Sequence, residues 1–314
     1  MSNLYCTNKK EEKIYTQLMS ELKKINEDWI ELRKSNDYKI GMAICRLWRQ
    51  LKKGDLKGMY RSIRSWIIGR RNNKASSITS MKNIDKKKPN YFSKERIAIY
   101  TCIYGGYDSV REPISVPDNC DFFIFTEKDR TIESKVWIKR DAPEKIAKMS
   151  NIEKNRYIKM HPHELFPEYK YSIYIDGNVQ IISDLTEYVN LLNDIGIAIH
   201  THHLRNCVYD EMKIVLKSKR IKPKEGNRHL EYLLNDGMPK NYGLLQCNVI
   251  VREHNNPICL KIMEEWWEEF MRYSKRDQIS LPHVLYKNKI KVEQVGVLGN
   301  NIYTNPSFRI LLHK

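Results

Sequence analysis

The sequence predicts an α/β protein, with a Rossmann-like, mostly parallel central sheet, flanking helices and a helical, basic N-terminal appendage. From residue 96 onward, short runs rich in Val, Ile and Tyr alternate with runs in which apolar residues recur at helical spacing. This alternation is typical of a mainly parallel sheet covered by helices. The charge is uneven as well, because the first 90 residues hold 22 Lys and Arg against 9 Asp and Glu.

Strands and helices follow from these patterns in chain order. The predicted strands cover residues 96–103, 121–126, 135–139, 171–175, 179–182, 195–200, 244–251 and 291–295. The predicted helices cover residues 144–160, 184–193, 209–219, 228–236, 257–273 and 278–286. Ligands of such sheets bind at the carboxyl ends of the strands, so we expect the functional residues there.

Residues 1–71 form a predicted helical, basic segment, followed by a polar linker over 72–93 and the α/β domain over 94–314. Residues 10–36 show a short heptad spacing, which predicts a coiled coil and an oligomer, or else an amphipathic helix packed on its own chain. Residues 38–71 combine apolar stripes, Trp residues and a basic border, typical of helices on anionic membranes. Docking on the α/β domain and nucleic-acid binding are the alternatives.

Several protein classes are excluded by what the sequence lacks. No run approaches the roughly 18 apolar residues of a membrane span, and the start has no secretory signal pattern. Seven cysteines are scattered without a CxxC pair, which argues against a disulfide framework or a structural zinc site. We therefore expect a cytoplasmic protein, held at the inner face of the cytoplasmic membrane by its N-terminal helices.

The run Tyr171–Ile175 ends in Asp176-Gly177-Asn178, which is the most informative stretch of the chain. A turn of this kind presents a carboxylate at the rim of an α/β sheet. Asp176 and Asn178 lie two residues apart, so both side-chain oxygens could face one hard cation. The alternative is a hairpin turn in which Asp176 bonds to its own backbone.

Two other features carry weaker signals. The first strand is followed by Gly105-Gly106, which allows close approach of a ligand but lacks the GxGxxG dinucleotide fingerprint. Arg156 and Lys159 lie three apart on a predicted helix, hence on one face. That face would meet anionic groups of a ligand, or it is an ordinary solvated basic face.

An ordered set of motifs resembles a known family. The set consists of Ile-Tyr-Gly-Gly-Tyr-Asp (103–108), Phe-Thr-Glu (125–127), Arg156 with Lys159, His-Pro-His (161–163), Tyr-Ser-Ile-Tyr-Ile-Asp-Gly-Asn (171–178), the run from His202 to Glu211, the run from Asn248 to Asn255, and Arg-Asp-Gln-Ile-Ser-Leu-Pro (276–282). It resembles a glycosyltransferase-like family of bacteria and plants, long catalogued as a domain of unknown function and associated in plants with cell-wall and mucilage polysaccharide. The resemblance covers about residues 94–314. More distantly, the layout is similar to the GT-A glycosyltransferases of the retaining, family 8-like kind.

The resemblance implies a metal-assisted donor site. Asp176 would bind Mn²⁺ or Mg²⁺ against the nucleotide diphosphate, Asn178 would take the second, usually acidic, position, and His313 would be the third ligand. Asn178 departs from the family pattern, because a neutral amide is a poorer ligand for a hard cation. The implied donor-binding residues are Thr101, Tyr104, Gly105, Tyr107, Arg156, Lys159, Gln246 and Asn248.

The same resemblance implies roles for residues at the sugar. Asp277 and Gln278 would be the catalytic pair beside the anomeric carbon, although Asp277 also suits a helix N-cap. His202, Arg205 and Glu211 would bind polar groups of the acceptor or donor, or they are ordinary surface residues.

We therefore expect a retaining hexosyltransferase that moves a sugar from a UDP-sugar to a surface-polysaccharide or lipid-linked acceptor, such as lipopolysaccharide or capsule. One alternative is a lipid-amide hydrolase of the ceramidase kind, against which stands the lack of GxSxG and HExxH motifs. The other is a non-enzymatic binder of nucleic acid or anionic surfaces through residues 37–90. We expect no nucleic-acid partner.

Overall fold

A computed structural model describes residues 95–299 and 301–311. The predicted coiled coil, membrane-surface helices and linker all lie outside the described residues, as does His313. No helix within the described ranges has both the length and the apolar character needed to cross a membrane.

A six-stranded sheet forms the centre of the domain. Its strands are β1 (Ile97–Cys102), β2 (Cys120–Phe125), β3 (Ile138–Arg140), β4 (Tyr171–Asp176), β6 (Ile197–Thr201) and β7 (Leu245–Arg252). They lie in the order β3-β2-β1-β4-β7-β6. Strands β3, β2, β1 and β4 pair in parallel, whereas β7 runs antiparallel to both β4 and β6. Only β7 is therefore reversed, and the predicted mostly parallel sheet is confirmed.

Helices flank the sheet, as predicted. They are α1 (Asn151–Met160), α2 (Pro162–Leu165), α3 (Val208–Lys217), α4 (Pro223–Asn235), α5 (Pro257–Arg272), α6 (Asp277–Lys287) and α7 (Val292–Val295). Short 3₁₀ helices cover Glu144–Ile146, Thr186–Leu191 and Ile302–Thr304. Ser150 caps α1, since its hydroxyl accepts from the Glu153 amide while the Glu153 carboxylate accepts from the Ser150 amide.

Both faces of the sheet are buried, which explains why its strands are nearly continuous apolar runs. In β1, Tyr100 packs into the core on one face, while Ile97 and Ile99 pack into the core on the other. Trp266 of α5 is fully buried in the first of these cores. The five cysteines of the described part are all buried and unpaired, as expected for small apolar side chains.

A second sheet of two strands pairs β5 (Val179–Ile181) with β8 (Phe308–Ile310) in antiparallel fashion. The strand that follows Asp176-Gly177-Asn178 therefore leaves the main sheet and does not pair back onto β4. The hairpin alternative for this turn is wrong. The turn instead connects two sheets, and the Leu311 amide donates to the Asn178 carbonyl at 2.9 Å.

Other departures from prediction are local. Residues 291–295 were expected to form a strand, but Val292–Val295 is the helix α7. The Gln294 side chain accepts from the Lys291 amide at 2.7 Å and closes the first helical turn. The predicted helix over 184–193 is a 3₁₀ helix, and the one over 144–160 is divided before Ser150. Strand β8 and helix α2 were not predicted.

Candidate active site

The candidate site lies at the edge of the sheet where β1, β4 and β6 end. Because β7 is reversed, its amino-terminal half reaches the same edge. The register pairs Ile175 of β4 with Val249 of β7. Asp176 follows Ile175, and Asn248 precedes Val249, so the antiparallel pairing brings Asp176 and Asn248 together.

Asp176 is held by three donors. Its Oδ1 accepts from the Tyr174 hydroxyl at 2.9 Å and from Lys159 Nζ at 3.4 Å. Its Oδ2 accepts from the Asn248 amide nitrogen at 2.9 Å. The side chain remains 24% exposed, so a fixed carboxylate faces solvent at the sheet edge.

Asp277 begins helix α6 and belongs to the same network. Lys159 Nζ donates to Asp277 Oδ2 at 2.9 Å, and Arg156 Nε lies 2.9 Å from that oxygen. Lys159 is only 1% exposed and Asp277 is 5% exposed, whereas the Arg156 side chain is 23% exposed. Two carboxylates and two cations from β4, α1 and α6 thus form one cluster, which we call the Asp176–Asp277 network.

The charges in this network determine the protonation states of Asp277 and Arg156. Burial acts to raise the pKa of Asp277, but the charges of Arg156, Lys159 and Arg276 outweigh it and hold that pKa well below its usual value. Burial acts to lower the pKa of Arg156, yet Asp277 and Asp176 keep it above its usual value. Asp277 and the Arg156 guanidinium therefore both stay charged at neutral pH.

The loop after β1 packs against the turn that carries Asp176. A Cβ on Gly177 would lie 2.7 Å from Ile103 and 3.1 Å from Asp108, so the loop and the turn approach as closely as glycine allows. Gly105 has a φ of +72°, which favours glycine. Its amide donates to the Glu127 carboxylate, which ties the loop to the end of β2.

Three of the predicted donor-binding residues differ in how exposed they are. Tyr107 is 62% exposed on this loop, and Tyr104 is buried with Lys154 Nζ 5.8 Å from its ring centre. Thr101 lies within β1, where it is buried and its hydroxyl has no hydrogen-bond partner. In the described part of the chain, no side-chain hydrogen bond links Thr101 to the Asp176–Asp277 network.

The Gln246 side chain contacts two neighbouring segments of the chain. Its Nε2 lies 2.8 Å from His203 Nδ1, and its Oε1 accepts from the Ile302 amide at 3.0 Å. The side chain is only 3% exposed. These contacts favour a positioning role for Gln246 over the predicted contact with a sugar.

His202, Arg205 and Glu211 form a second polar cluster beyond the end of β6. His202 Nδ1 accepts from the Arg205 amide at 3.2 Å, and Arg205 Nε donates to Glu211 at 2.5 Å. Burial lowers the pKa of His202 to about 4, so its ring is neutral at physiological pH. The three residues lie together, and Gln246 connects their loop to β7 through His203.

A divalent cation fits part of the predicted metal site. Asp176 Oδ2 accepts one hydrogen bond, and a carboxylate oxygen has two lone pairs, so it retains capacity for an ion. The Asn178 amide nitrogen donates to the Leu311 carbonyl at 3.2 Å, so its side-chain oxygen is the atom that would meet an ion. One carboxylate and one amide suit Mg²⁺ or Mn²⁺ that keep water and phosphate ligands.

Helix α6 starts at Asp277 with Arg276 in the cap position, so Asp277 is the first helical residue and not the N-cap. Gln278 is half-buried, and its backbone amide nitrogen lies 3.1 Å from Asp277 Oδ1. Both predicted catalytic residues therefore lie at the start of one helix.

Three functional residues were missed by sequence reasoning. Tyr174 donates to Asp176, and their i, i+2 spacing on one strand face was a signal that could have identified it. Glu127 anchors Gly105, and Arg276 lowers the pKa of Asp277. No sequence pattern indicates these last two contacts.

Comparison with known proteins supplies the class. The sequence matches the TOD1/MUCI70 glycosyltransferase-like domain over residues 68–312. This match covers most of the chain and makes the protein a glycosyltransferase-like enzyme. The chain belongs to the TOD1/MUCI70 family, which confirms the resemblance inferred from its motifs.

Three solved structures with detectable similarity are glycosyltransferases. The bifunctional glycosyltransferase WbbM shares 15% identity over 64% of this chain, with a TM-score of 0.39, and this chain covers 39% of its length. Mouse xyloside xylosyltransferase 1 shares 9% sequence identity, and the match covers 64% of this chain and 83% of the xylosyltransferase chain, with a TM-score of 0.38. The galactosyltransferase LgtC, solved with donor and acceptor sugar analogues, shares 13% over 60% of this chain and 70% of its own, with a TM-score of 0.35. A comparison with curated proteins finds no match.

Proposed function

We propose that this protein transfers a sugar from a UDP-sugar to a saccharide or lipid-linked saccharide of a surface polysaccharide, with retention at the anomeric carbon. The observation that carries the proposal is the Asp176–Asp277 network at the carboxyl edge of a mostly parallel sheet. Ligands of such sheets bind at this edge. Membership of a glycosyltransferase-like family supports the reaction class.

In this proposal, the cations stabilise the departing nucleotide. Cleavage of the sugar–phosphate bond leaves negative charge on a diphosphate, which fixed positive groups stabilise. Arg156 is the partly exposed cation of the network, and Arg276 lies beside it at the start of α6. Lys159 is too buried to meet the donor directly, so its role is to hold Asp176 and Asp277 in place.

In this proposal, the side chains around the donor sugar stabilise its charge and bind its hydroxyl groups. Asp277 stays ionised and would stabilise positive charge that develops at the anomeric carbon, while the neighbouring Gln278 would contact the sugar. Asn248 holds Asp176 through its amide nitrogen, so its remaining carboxamide oxygen would accept from a sugar hydroxyl. His202, Arg205 and Glu211 would bind the acceptor.

A Mn²⁺ or Mg²⁺ ion would be held by Asp176 and Asn178, with His313 as a third ligand. When bound, such an ion neutralises negative charge on the diphosphate. The protein would act at the inner face of the cytoplasmic membrane through its basic N-terminal helices, close to a lipid-linked acceptor.

Calorimetric titration with a panel of nucleotide sugars, with and without Mn²⁺, tests this proposal. We expect one UDP-sugar to bind, UDP alone to compete with it, and enzyme to release UDP slowly by donor hydrolysis. Asp176→Ala should abolish that hydrolysis. If no nucleotide sugar binds under any metal condition, or if the variant turns over the donor undiminished, the proposal is wrong.

A further inference from the structure

A second cluster of metal-ligating side chains lies away from the Asp176–Asp277 network. His161 and Glu164 come from the junction of α1 and α2, and Glu264 comes from α5. One ligand atom from each of these residues lies within 4.8 Å of the others. His163 adds a second imidazole, with Nε2 2.9 Å from Glu264 Oε1.

The His161 ring is oriented as a metal-binding imidazole. Its Nδ1 lies 2.9 Å from the Tyr157 carbonyl, which can only accept, so Nδ1 carries the proton and Nε2 presents a lone pair. The ring stacks on Tyr157 with centres 3.8 Å apart, and the Trp267 ring packs edge-on at 5.3 Å. A backbone carbonyl on the remote nitrogen is the usual partner of a histidine ligand.

The lone pair of His161 faces another acceptor. Nε2 lies 3.9 Å from Glu264 Oε1, with no proton available to lie between the two atoms. Two facing acceptors repel each other unless a cation separates them. Ligands at about 2.0–2.2 Å from a tetrahedral zinc ion lie roughly 3.3–3.6 Å apart, close to this separation.

The charge of the cluster is suitable for a cation. Glu164 and Glu264 contribute two carboxylates to the cluster. Lys145 supplies one compensating charge, with Nζ 2.7 Å from Glu164. The cluster therefore has a residual negative charge that a divalent ion would neutralise.

We propose that His161, Glu164 and Glu264 bind a divalent transition-metal ion, with His163 orienting Glu264. Imidazole nitrogens and carboxylate oxygens are both among the ligands that zinc takes in proteins. The ion would join the carboxyl end of α1 to α5. Since α1 also carries Arg156 and Lys159, the ion would fix the helix that supplies both cations of the Asp176–Asp277 network.

Titration of the full chain with ZnCl₂, after chelation and dialysis, tests this site. We expect one tight equivalent, and Glu264→Gln should weaken its binding at least about tenfold. Glu264 is partly exposed, so the variant should fold, which circular dichroism checks. Glu268→Gln is the matched control, because Glu268 lies on the same helix and is exposed.

An independent control separates this ion from any ion at the donor site. Asp176→Asn should keep the zinc equivalent, and zinc should raise the melting temperature of that variant and of the parent alike. The proposal is overturned if the parent binds no zinc, if Glu264→Gln binds it as tightly as the parent, or if Glu268→Gln weakens it equally.

Discussion

At the scale of single residues, Lys159 is central to the electrostatics of the site. Its ammonium group is buried between the carboxylates of Asp176 and Asp277, and it also lies 4.9 Å from the ring centre of Tyr174. The sequence placed Lys159 and Arg156 on one helical face, which the structure supports. It did not indicate that Arg156 is partly exposed whereas Lys159 is buried.

Lys159→Met should destabilise the domain by about 3 kcal/mol, because removing one partner of a buried ion pair leaves an uncompensated charge. Urea unfolding followed by circular dichroism measures the change. Adding Asp277→Asn to that variant should recover part of the loss, since it removes the stranded charge. A loss below about 1 kcal/mol would contradict the role assigned to Lys159.

Asp176→Asn should lower kcat roughly 100-fold or more, in line with the loss of one electrostatic contact to the transition state. The amide keeps one oxygen that can accept from Tyr174, whereas its nitrogen cannot accept from the Asn248 amide nitrogen, so circular dichroism and thermal unfolding check the fold of the variant. UDP release with the donor identified by calorimetry measures the effect. Asp210→Asn, at an exposed acid paired with Lys213, is the control that should retain full activity.

At the scale of elements, the turn between β4 and β5 tolerates no added side chain. Gly177→Ala would place a methyl group 2.7 Å from Ile103, which forces the turn or the loop after β1 to move. We expect a loss of about 1–3 kcal/mol in stability and weaker donor binding. Thermal unfolding and calorimetry check both effects; a variant that matches the parent in both would show that the loop is not tightly packed.

Strand β6 gives the domain a stability that depends on pH. Burial lowers the pKa of His200 from 6.5 to about 4, so this ring is neutral in the folded chain while the Asn305 amide nitrogen lies 3.0 Å from its Nε2. As the pH falls, His200 takes up a proton in the unfolded chain before it does so in the folded chain. The stabilisation from the neutral ring is therefore complete above pH 6.5 and is lost as the pH falls towards 4. The loss should be on the order of 2 kcal/mol.

Unfolding free energies measured between pH 7 and pH 4 test this expectation. His200→Gln cannot titrate in this range, so its stability should fall less steeply over the same interval. Equal slopes for the parent and the variant would assign the acid sensitivity to other groups.

Elements with many apolar residues were predictable from the sequence, whereas elements set by distant partners were not. The buried strands β1, β4 and β7 follow directly from their composition. Strand β8 has three residues and exists because it pairs with β5, more than 120 residues earlier. The run Lys291–Val295 was predicted as a strand, yet Val292 and Val295 lie three residues apart, which is a helical spacing, and both are buried in α7.

The same limit applies to the site. The Asp176 turn was visible because strand composition ends there abruptly. Its contact with Asn248 depends on the register between β4 and β7, which no local pattern reveals. Gln246 was assigned to a sugar, but its neighbours are His203 in a loop and Ile302 in a 3₁₀ helix, two segments that only the fold brings together.

At the scale of the whole molecule, the basic charge is concentrated in one part of the chain. Of the net charge of +17, a surplus of 13 lies in the first 90 residues, which are outside the described residues. This segment is therefore the expected source of any attraction to anionic surfaces.

Sedimentation of the full chain with vesicles containing phosphatidylserine should show binding that weakens with salt. Replacing Lys52, Lys53, Lys57 and Arg61 by Gln should weaken binding about tenfold or more, since each basic residue contributes about 1 kcal/mol near such a surface. Four exposed residues of the α/β domain, Lys213, Lys217, Lys219 and Arg220, form the matched control set. Tight binding to RNA without vesicle binding would contradict the membrane assignment.

The pairing of β5 with β8 has a practical consequence for anyone who expresses this protein. The backbone of Leu311 bonds to Asn178, so any extension of the chain beyond β8 starts beside the Asp176 turn. A polyhistidine tag placed directly after Leu311 would bring foreign imidazoles near the carboxylate whose metal requirement is to be measured. Purification tags belong at the amino terminus, and they should be cleaved before either metal titration.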